Sequence, residues 1–197
     1  RVFYLYELAK ELGINNFVHF DCDVLIYKSF KDIKHSFVKD RLNITPVNEL
    51  FLNFGYAYVD NIVNFQKICL CLLEIIKNSN HYEEKYYSGN RLNEMIMLNI
   101  ARIKYPNLFN LLNTLPKNNS EHVFDPGSYG QYLGGVDKQF FSKKLINNDH
   151  YVGRNIIKYG YKIKMVKGLP VVTVEGKDFE LVNLHIHKKN LGKFISK

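Results

Sequence analysis

Two aspartates stand two residues apart inside an apolar run, VHFDCDVLIY, which extends from Val18 to Tyr27. Side chains alternate between the two faces of an extended strand, so Asp21 and Asp23 are expected on one face and Cys22 on the other. Two carboxylates this close repel each other unless a positive charge neutralises them, and a divalent cation with oxygen ligands is suited to that task. The spacing predicts a metal site; a solvated turn or a capping aspartate is the structural alternative.

A second group of candidate ligands lies near the end of the sequence, in LVNLHIHKKNLGKF. His185 and His187 stand two apart and would share a strand face, where an imidazole nitrogen could join the carboxylates around Mn²⁺. His187, nearer the end of the strand, is the preferred ligand, and His185 is kept beside it. Lys188 and Lys189 follow at once and could pair with a diphosphate as point charges. A hydrogen-bonded sheet histidine and a solvated basic tail are the alternatives.

The hydrophobic pattern predicts the elements that position these residues. VFYLYELAKEL has helical spacing and ends at Gly13, and NFVHF is a buried strand that runs directly into Asp21. A further helix is expected over NIVNFQKICLCLLEIIKNS, with Val63, Ile68, Leu72 and Ile75 on its apolar face. Another is expected from Arg91 or Asn93 to about Tyr105, and a third around 149–159. Strands are expected at ITPV, LNFGYAYVD, KIKMV, PVVTVE and LVNLHIH, and a loop over 107–120. This order predicts an α/β fold with a mixed, mostly parallel sheet flanked by helices, as one domain over residues 1–197.

Composition narrows the class of protein. With 197 residues, 46% of them hydrophobic, the chain can bury a core without disulfides. Cys22, Cys69 and Cys71 lack the spacing of a zinc site. We expect reduced thiols in a reducing compartment, which would be the cytoplasm, or thiols that are simply buried. The net charge of +8 suits an anionic partner, but the lysines are scattered and form no basic patch of the kind that binds nucleic acid. No apolar run reaches the roughly eighteen residues of a transmembrane segment.

Two enzyme chemistries use a pair of aspartates of this kind. DCDV satisfies the pattern DxDx(T/V) of haloacid-dehalogenase-like Mg²⁺ phosphatases, in which the first aspartate, here Asp21, is the nucleophile and the second is an acid or base. That family also uses a further acidic pair and a lone lysine, and the sequence has no convincing acidic pair of this kind. In the DxD motif of nucleotide-sugar glycosyltransferases, the acids hold Mn²⁺ or Mg²⁺, which stabilises the leaving diphosphate.

The ordered set VFYLYELAKELGI, FVHFDCDVLIY, FDPGSYGQYLGG and LHIHKKNL resembles the GT-A type glycosyltransferases of bacterial polysaccharide clusters and large viruses. The resemblance implies a GT-A-like, Rossmann-like sheet and transfer of a sugar from a nucleoside diphosphate sugar, most readily a UDP-sugar, to a glycan or other hydroxyl acceptor. It implies that Asp21 approaches the donor sugar or ribose, that Asp23 is the main metal ligand, and that a C-terminal histidine completes the shell. Arg1 or Tyr4 would approach the base or ribose. GT-A domains usually begin with a βαβ unit, which would have to precede Arg1.

The acceptor side has weaker candidates. Glu94 stands near a predicted helix start, where it could act as a general base, with favourable pairing to the helix dipole as the alternative. Gly55 interrupts LNFGYAYVD and could allow close approach of a sugar or mark a strand bulge. In the aromatic, glycine-rich segment FDPGSYGQYLGG, we predict that Asp125, Gln131 and Gly134 contact sugars.

Overall fold

The computed structural model describes residues 1–116, 122–135, 148–186 and 194, and the elements named here belong to those ranges. The helices are α1 (Val2–Glu11), α2 (Phe30–Ile33), α3 (Ile62–Lys77), α4 (Ser79–Tyr87), α5 (Glu94–Lys104) and α6 (Tyr151–Tyr159). The strands are β1 (Phe17–Phe20), β2 (Val24–Ile26), β3 (Leu42–Pro46), β4 (Leu52–Val59), β5 (Phe109–Leu111), β6 (Lys162–Val166), β7 (Leu169–Val174), β8 (Lys177–Glu180) and β9 (Asn183–His185). A short π-helix spans Gln131–Gly135.

A four-stranded mixed sheet in the order β1-β4-β3-β5 forms the centre of the described structure. β4 is antiparallel to both β1 and β3, whereas β3 and β5 are parallel. The α/β class, the mixed sheet and the flanking helices are confirmed, but the expectation that most of the strands would be parallel is wrong. The short segment 47–51 between β3 and β4 can only reverse the chain, since a parallel connection needs a dozen or more residues. The long segment through α3, α4 and α5 connects β4 to β5, and β5 then runs beside β3 in the same direction.

Two smaller sheets lie outside the central one, and both are antiparallel. β2 pairs with β9, and β6, β7 and β8 form a three-stranded meander. The meander turns at Lys167 and Gly168 and again at Glu175 and Gly176, and all four residues have positive φ. Two-residue turns with positive φ at both positions are the preferred hairpin connection, which explains how β8 follows β7 directly.

Helix α3 shows how the local sequence sets an element and its buried face. Its N-cap is Asn61, whose side-chain oxygen accepts hydrogen bonds from backbone N–H groups of the first turn. Of the predicted apolar face, Ile68, Leu72 and Ile75 are buried, but Val63 is 58% exposed. Val63 lies in the first turn of α3, where its side chain stays in contact with solvent, so including it in that face was wrong.

The largest core cluster joins α1, α3 and α5 to the central sheet through residues such as Phe54, Phe65 and Ile68. A second cluster, which includes Val123, Tyr129 and Val172, lies under the β6-β7-β8 sheet and β9. The predicted loop over 107–120 contains β5, which pairs with β3. No helix within the described ranges combines the length and the apolar character needed to cross a membrane.

Candidate metal centre

The two aspartates lie in a tight turn between β1 and β2 and not within one continuous strand. The backbone N–H of Asp21 donates to the carbonyl of Gly55 in β4 at 2.9 Å. The N–H of Val24 then donates to the carbonyl of Asp21 at 3.0 Å and closes the turn. The turn brings the carboxylates together, and it leaves Cys22 exposed, so the expected packing of Cys22 on an opposite strand face is wrong.

His185 reaches the same turn through the pairing of β2 with β9. Val24 is the ladder partner of His185, and the N–H of Ile186 donates to the carbonyl of Asp23 at 2.8 Å. The ring nitrogen Nε2 of His185 lies 3.0 Å from Oδ1 of Asp23. His185, one of the two histidines predicted as ligands, therefore lies beside the acids, and its binding of a metal stays a prediction. The preferred candidate, His187, lies outside the described residues.

One ligand atom from each of Asp21, Asp23 and His185 lies within 4.8 Å of the others. The histidine is buried and the two aspartates are half-buried. Carboxylate oxygens suit Mg²⁺ and Mn²⁺, and the imidazole nitrogen extends the donor set towards Mn²⁺ and other transition metals. Two carboxylate charges also balance one divalent cation. The donor chemistry therefore fits a divalent metal ion, and these three residues could bind one.

The side chain of Arg1 contacts the cluster of Asp21, Asp23 and His185 at Asp21. The guanidinium of Arg1 forms ion pairs with both Asp21 and Glu94, and its Nε lies 3.3 Å from Oε2 of Glu94. Nε2 of His19 lies 3.2 Å from Oδ1 of Asp21. The buried ring of Phe54 lies beneath both of these partners of Asp21, with the Arg1 guanidinium 5.6 Å and the His19 ring 5.0 Å from its centroid. Glu94 is thus tied to the candidate centre through Arg1.

These contacts set the protonation of the group. Burial alone would raise the pKa of Asp21, but its hydrogen bond to Arg1 and the charge of Arg1 outweigh burial, so the pKa lies below its ordinary value. Burial lowers the pKa of His19 and outweighs the opposing charge of Asp21, so the ring is neutral at pH 7. Burial would lower the pKa of Arg1, but the hydrogen bonds to Glu94 and Asp21 raise it overall. At neutral pH the carboxylate of Asp21 is ionised, as a metal ligand must be.

Glycines make room for the ring of His185. A Cβ on Gly55 would lie 2.9 Å from Cε1 and 3.0 Å from Nδ1 of His185, and one on Gly127 would lie 3.4 Å from Nδ1. A Cβ on Gly130 would lie 2.1 Å from the backbone carbonyl oxygen of His185, closer than any real contact. The strand bulge that was the alternative for Gly55 is present, because the register of β3 against β4 shifts between the pairs Ile44–Ala57 and Thr45–Asn53. The group that lies closest to Gly55 is the imidazole of His185, and the approach of a sugar stays a prediction.

Asn53, a residue of β4, contacts both the loop that contains Gly127 and the ring of His185. Its amide donates to the carbonyl of Pro126 at 2.8 Å and accepts the N–H of Gly55 at 2.8 Å. The same amide nitrogen lies 3.5 Å from Nδ1 of His185. Neither Asn53 nor His19 was predicted from the sequence. His19 could have been found, because it stands two residues before Asp21 on the same strand face.

The other predicted site residues take different places. Asp125 is 2% exposed, and its carboxylate accepts hydrogen bonds from five backbone N–H groups, so it faces the protein interior. The amide of Gln131 donates to the carbonyl of Gly127 at 2.9 Å, and Gly134 belongs to the same π-helix as Gln131. Tyr4 is 72% exposed on α1. Sugar or nucleotide contacts of these residues stay predictions, and the burial of Asp125 weighs against its own.

Lys188 and Lys189, the predicted partners of the diphosphate, lie outside the described residues.

Comparison of the chain with protein-family models, with curated proteins and with solved structures finds no match. Any function assigned to the chain must therefore come from the geometry and chemistry of the site itself.

Proposed function

We propose that the chain is a metal-dependent glycosyltransferase that moves a sugar from a nucleoside diphosphate sugar, a UDP-sugar in the first instance, to a glycan or other hydroxyl acceptor. The observation that carries the proposal is the convergence of Asp21, Asp23 and His185, whose ligand atoms lie within 4.8 Å of one another. The acids come from the DxD segment, and the histidine comes from the far end of the chain. A GT-A-like arrangement is part of the proposal, and the mixed sheet with the acidic turn at the end of β1 is compatible with it.

In this proposal some residues bind the cation and others orient the ligand Asp21. Asp23 and His185 bind the cation directly, and Asp21 adds a second carboxylate whose negative charge Arg1 maintains. A bound Mn²⁺ or Mg²⁺ would stabilise the charge that develops on the leaving diphosphate. Arg1 also holds Glu94 beside the site, and the neutral ring of His19 donates to Asp21. Several contacts thus fix the orientation of Asp21 before any ligand arrives.

The reaction breaks the bond between the anomeric carbon and a diphosphate oxygen, and the acceptor oxygen forms the new bond while its proton passes to a base. Glu94 is 29% exposed in its side chain, and its two carboxylate oxygens both contact Arg1. Its first role in this arrangement is to hold Arg1 against Asp21. A role as general base would require its carboxylate to exchange Arg1 for the acceptor hydroxyl, and it stays a prediction.

The phosphatase alternative gives Asp21 a different task, because the carboxylate would attack phosphorus. In the structure, Oδ1 of Asp21 contacts Arg1 and lies 3.2 Å from Nε2 of His19. Hydrogen bonds and a paired positive charge make a carboxylate less nucleophilic, so these contacts favour the role of an orienting or metal-binding group. Covalent phosphorylation of Asp21 by a phosphate-ester substrate would reverse this preference.

The test is titration calorimetry of UDP, GDP and CDP with and without Mn²⁺, followed by release of the diphosphate from the matching sugar donor. We expect one nucleotide to bind in a Mn²⁺-dependent manner and its sugar donor to be hydrolysed slowly without an acceptor. If none of the three nucleotides shows metal-dependent binding, the glycosyltransferase proposal is wrong.

A pair of variants links that activity to the site. Asp23→Ala removes a proposed ligand and should abolish metal-dependent donor hydrolysis. Asp178→Asn is the matched control, since Asp178 is a surface carboxylate in β8 that pairs with Lys164 at 3.1 Å, and such exposed pairs contribute little to stability. Undiminished turnover of Asp23→Ala would remove Asp23 from the metal shell.

A further inference from the structure

A buried carboxylate lies behind the candidate metal centre and has no part in the function proposed above. Oδ1 of Asp125 accepts the N–H groups of Gly127, Ser128 and Tyr129 at 2.9, 2.7 and 2.9 Å. Oδ2 accepts the N–H of Gly130 at 3.1 Å and that of His185 at 2.9 Å. One side chain therefore organises the loop 125–130 and binds the backbone of the candidate metal ligand.

The same loop is attached to β9 by two further contacts. The N–H of Asp125 donates to Oδ1 of Asn183 at 3.0 Å, and the amide of Asn183 donates to the carbonyl of Asp125 at 3.3 Å. Gly130 lies against the carbonyl of His185 so closely that no Cβ would fit. The loop and β9 thus form one unit, and a displacement of Asp125 displaces the backbone of His185.

The ring of His185 is held on its other side by the contact between this loop and β4. The amide of Asn53 reaches the carbonyl of Pro126, and a Cβ on Gly127 would lie 2.9 Å from that amide and 3.4 Å from Nδ1 of His185. The backbone of His185 is therefore fixed by Asp125, while the position of its ring is limited by Asn53 and by a glycine of the same loop. These contacts leave the ring little freedom to leave the acids.

We infer that Asp125 is a positioning residue for the metal centre, which acts by holding the backbone of His185 so that its imidazole meets Asp21 and Asp23. Both carboxylate oxygens are needed, since one set of N–H groups belongs to the loop and the other includes His185 itself. An asparagine side chain has the same shape but only one acceptor oxygen, so in Asp125→Asn the NH₂ group would face N–H donors and push them away. The inference rests on the metal binding included in the proposed function, and not on the sugar transfer.

The test measures binding of Mn²⁺ alone, by electron paramagnetic resonance and calorimetry, well below the melting temperature of each variant. Groups that orient a metal ligand typically change metal affinity by about 10- to 100-fold when they are replaced. We expect Asp125→Asn to weaken Mn²⁺ binding by at least about 10-fold. Ser128→Ala is the matched control, because it alters the same buried loop and removes the 2.7 Å hydrogen bond to His150 but keeps the backbone bond to Asp125. Its Mn²⁺ affinity should equal that of the wild type.

A second measurement separates a positioning role from general destabilisation. In a His185→Ala background, Asp125→Asn should cause no further loss of Mn²⁺ affinity, because the residue through which it acts is gone. If Asp125→Asn does not fold, Asn183→Ala takes its place, since it cuts the two hydrogen bonds to the backbone of Asp125 and keeps the carboxylate. We expect it to weaken Mn²⁺ binding by a smaller factor than His185→Ala does.

The outcomes are distinct. Equal Mn²⁺ affinity in Asp125→Asn and Ser128→Ala overturns the inference, and so does an undiminished effect of Asp125→Asn in the His185→Ala background. A wild-type protein that fails to bind Mn²⁺ overturns it together with the proposed metal site. Mn²⁺ binding that depends on Asp125, without any binding of nucleoside diphosphates, supports the inference and refutes the glycosyltransferase.

Discussion

Gly55 is the position at which one added methyl group tests the candidate centre most directly. In Gly55→Ala the new Cβ would lie 2.9 Å from Cε1 and 3.0 Å from Nδ1 of His185, and 3.0 Å from Oδ1 of Asn53. The asparagine cannot easily yield, because its oxygen accepts the N–H of residue 55 and its nitrogen donates to Pro126. The imidazole is therefore the group that has to move.

The size of the effect follows from these distances. Ordinary van der Waals contact of a Cβ begins at 3.4 Å, so the ring must retreat by about 0.5 Å. Metal–ligand bonds in proteins tolerate deviations of only about 0.2 Å. We expect a loss of Mn²⁺ affinity of about 10- to 100-fold, comparable with the removal of a group that orients a ligand. Overpacking should also lower the free energy of unfolding by about 1–3 kcal/mol.

Calorimetric titration of Mn²⁺ and urea denaturation of the same samples measure the two effects. Gly160→Ala is the control for stability alone, because Gly160 ends α6 with φ +63°. Apart from its chain neighbours and the backbone of its own helix, no atom of the described residues lies within 4 Å of the place that the added methyl group would take. Alanine in the left-handed region costs about 1–2 kcal/mol, so this variant should be destabilised to a similar degree and bind Mn²⁺ normally. In a double variant with His185→Ala, Gly55→Ala should have no additional effect on affinity. Normal Mn²⁺ binding by Gly55→Ala would refute the assignment of His185 as a metal ligand.

Three further perturbations test the electrostatics and the core. Alkylation at pH 8 should modify Cys22 quickly, because Cys22 is exposed. It should leave Cys69 unmodified, because burial raises the pKa of Cys69 to about 12. Equal rates of modification, measured by mass spectrometry, would contradict the burial of Cys69. Arg1→Gln should lower the free energy of unfolding at pH 7. The difference in free energy of unfolding between the variant and the wild type should shrink as the pH falls below about 4, because Asp21 has a depressed pKa in the folded state and its stabilisation is lost on protonation. A difference that grows in acid would show that the ion pair of Arg1 and Asp21 does not stabilise the fold. Ile68→Ala should cost about 2–5 kcal/mol in urea denaturation, as expected for a buried side chain that leaves a cavity, and a cost below about 1 kcal/mol would place Ile68 outside the core.

Local patterns predicted the elements well where the signal lies within a few residues. Helix α1 ends before Gly13, α5 begins at the N-cap Asn93, and β1 runs into Asp21, as the sequence indicates. Strand direction was predicted less well, because it depends on which strands meet and not on their composition. The alternation of helices and strands suggested parallel pairing, whereas the short 47–51 connection imposed the antiparallel pair of β3 and β4.

The candidate site was predicted in its chemistry and only partly in its geometry. The pair Asp21 and Asp23 and a histidine near the end of the chain could be chosen by residue type and spacing. The position of His185 beside the acids depends on the register of β9 against β2, which a ladder of three residue pairs sets and no local pattern reveals. Asn53 could not be predicted, because its contact with His185 joins β4 to β9 across 132 residues of sequence.

The pairing of β2 with β9 has a consequence for when the site comes into being. Asp23 and His185 are separated by about 160 residues of sequence, and closing a loop of that length carries an entropic cost that is recovered only after most of the fold has formed. A cation held between them would bind the native state and not its fragments, so metal binding and global folding are thermodynamically linked. A chain cut before β9 would keep both aspartates and lose their shared affinity for the cation. The proposed metal affinity would thus be a property of the fold that includes β9, and it could be used to measure whether β9 has paired with β2.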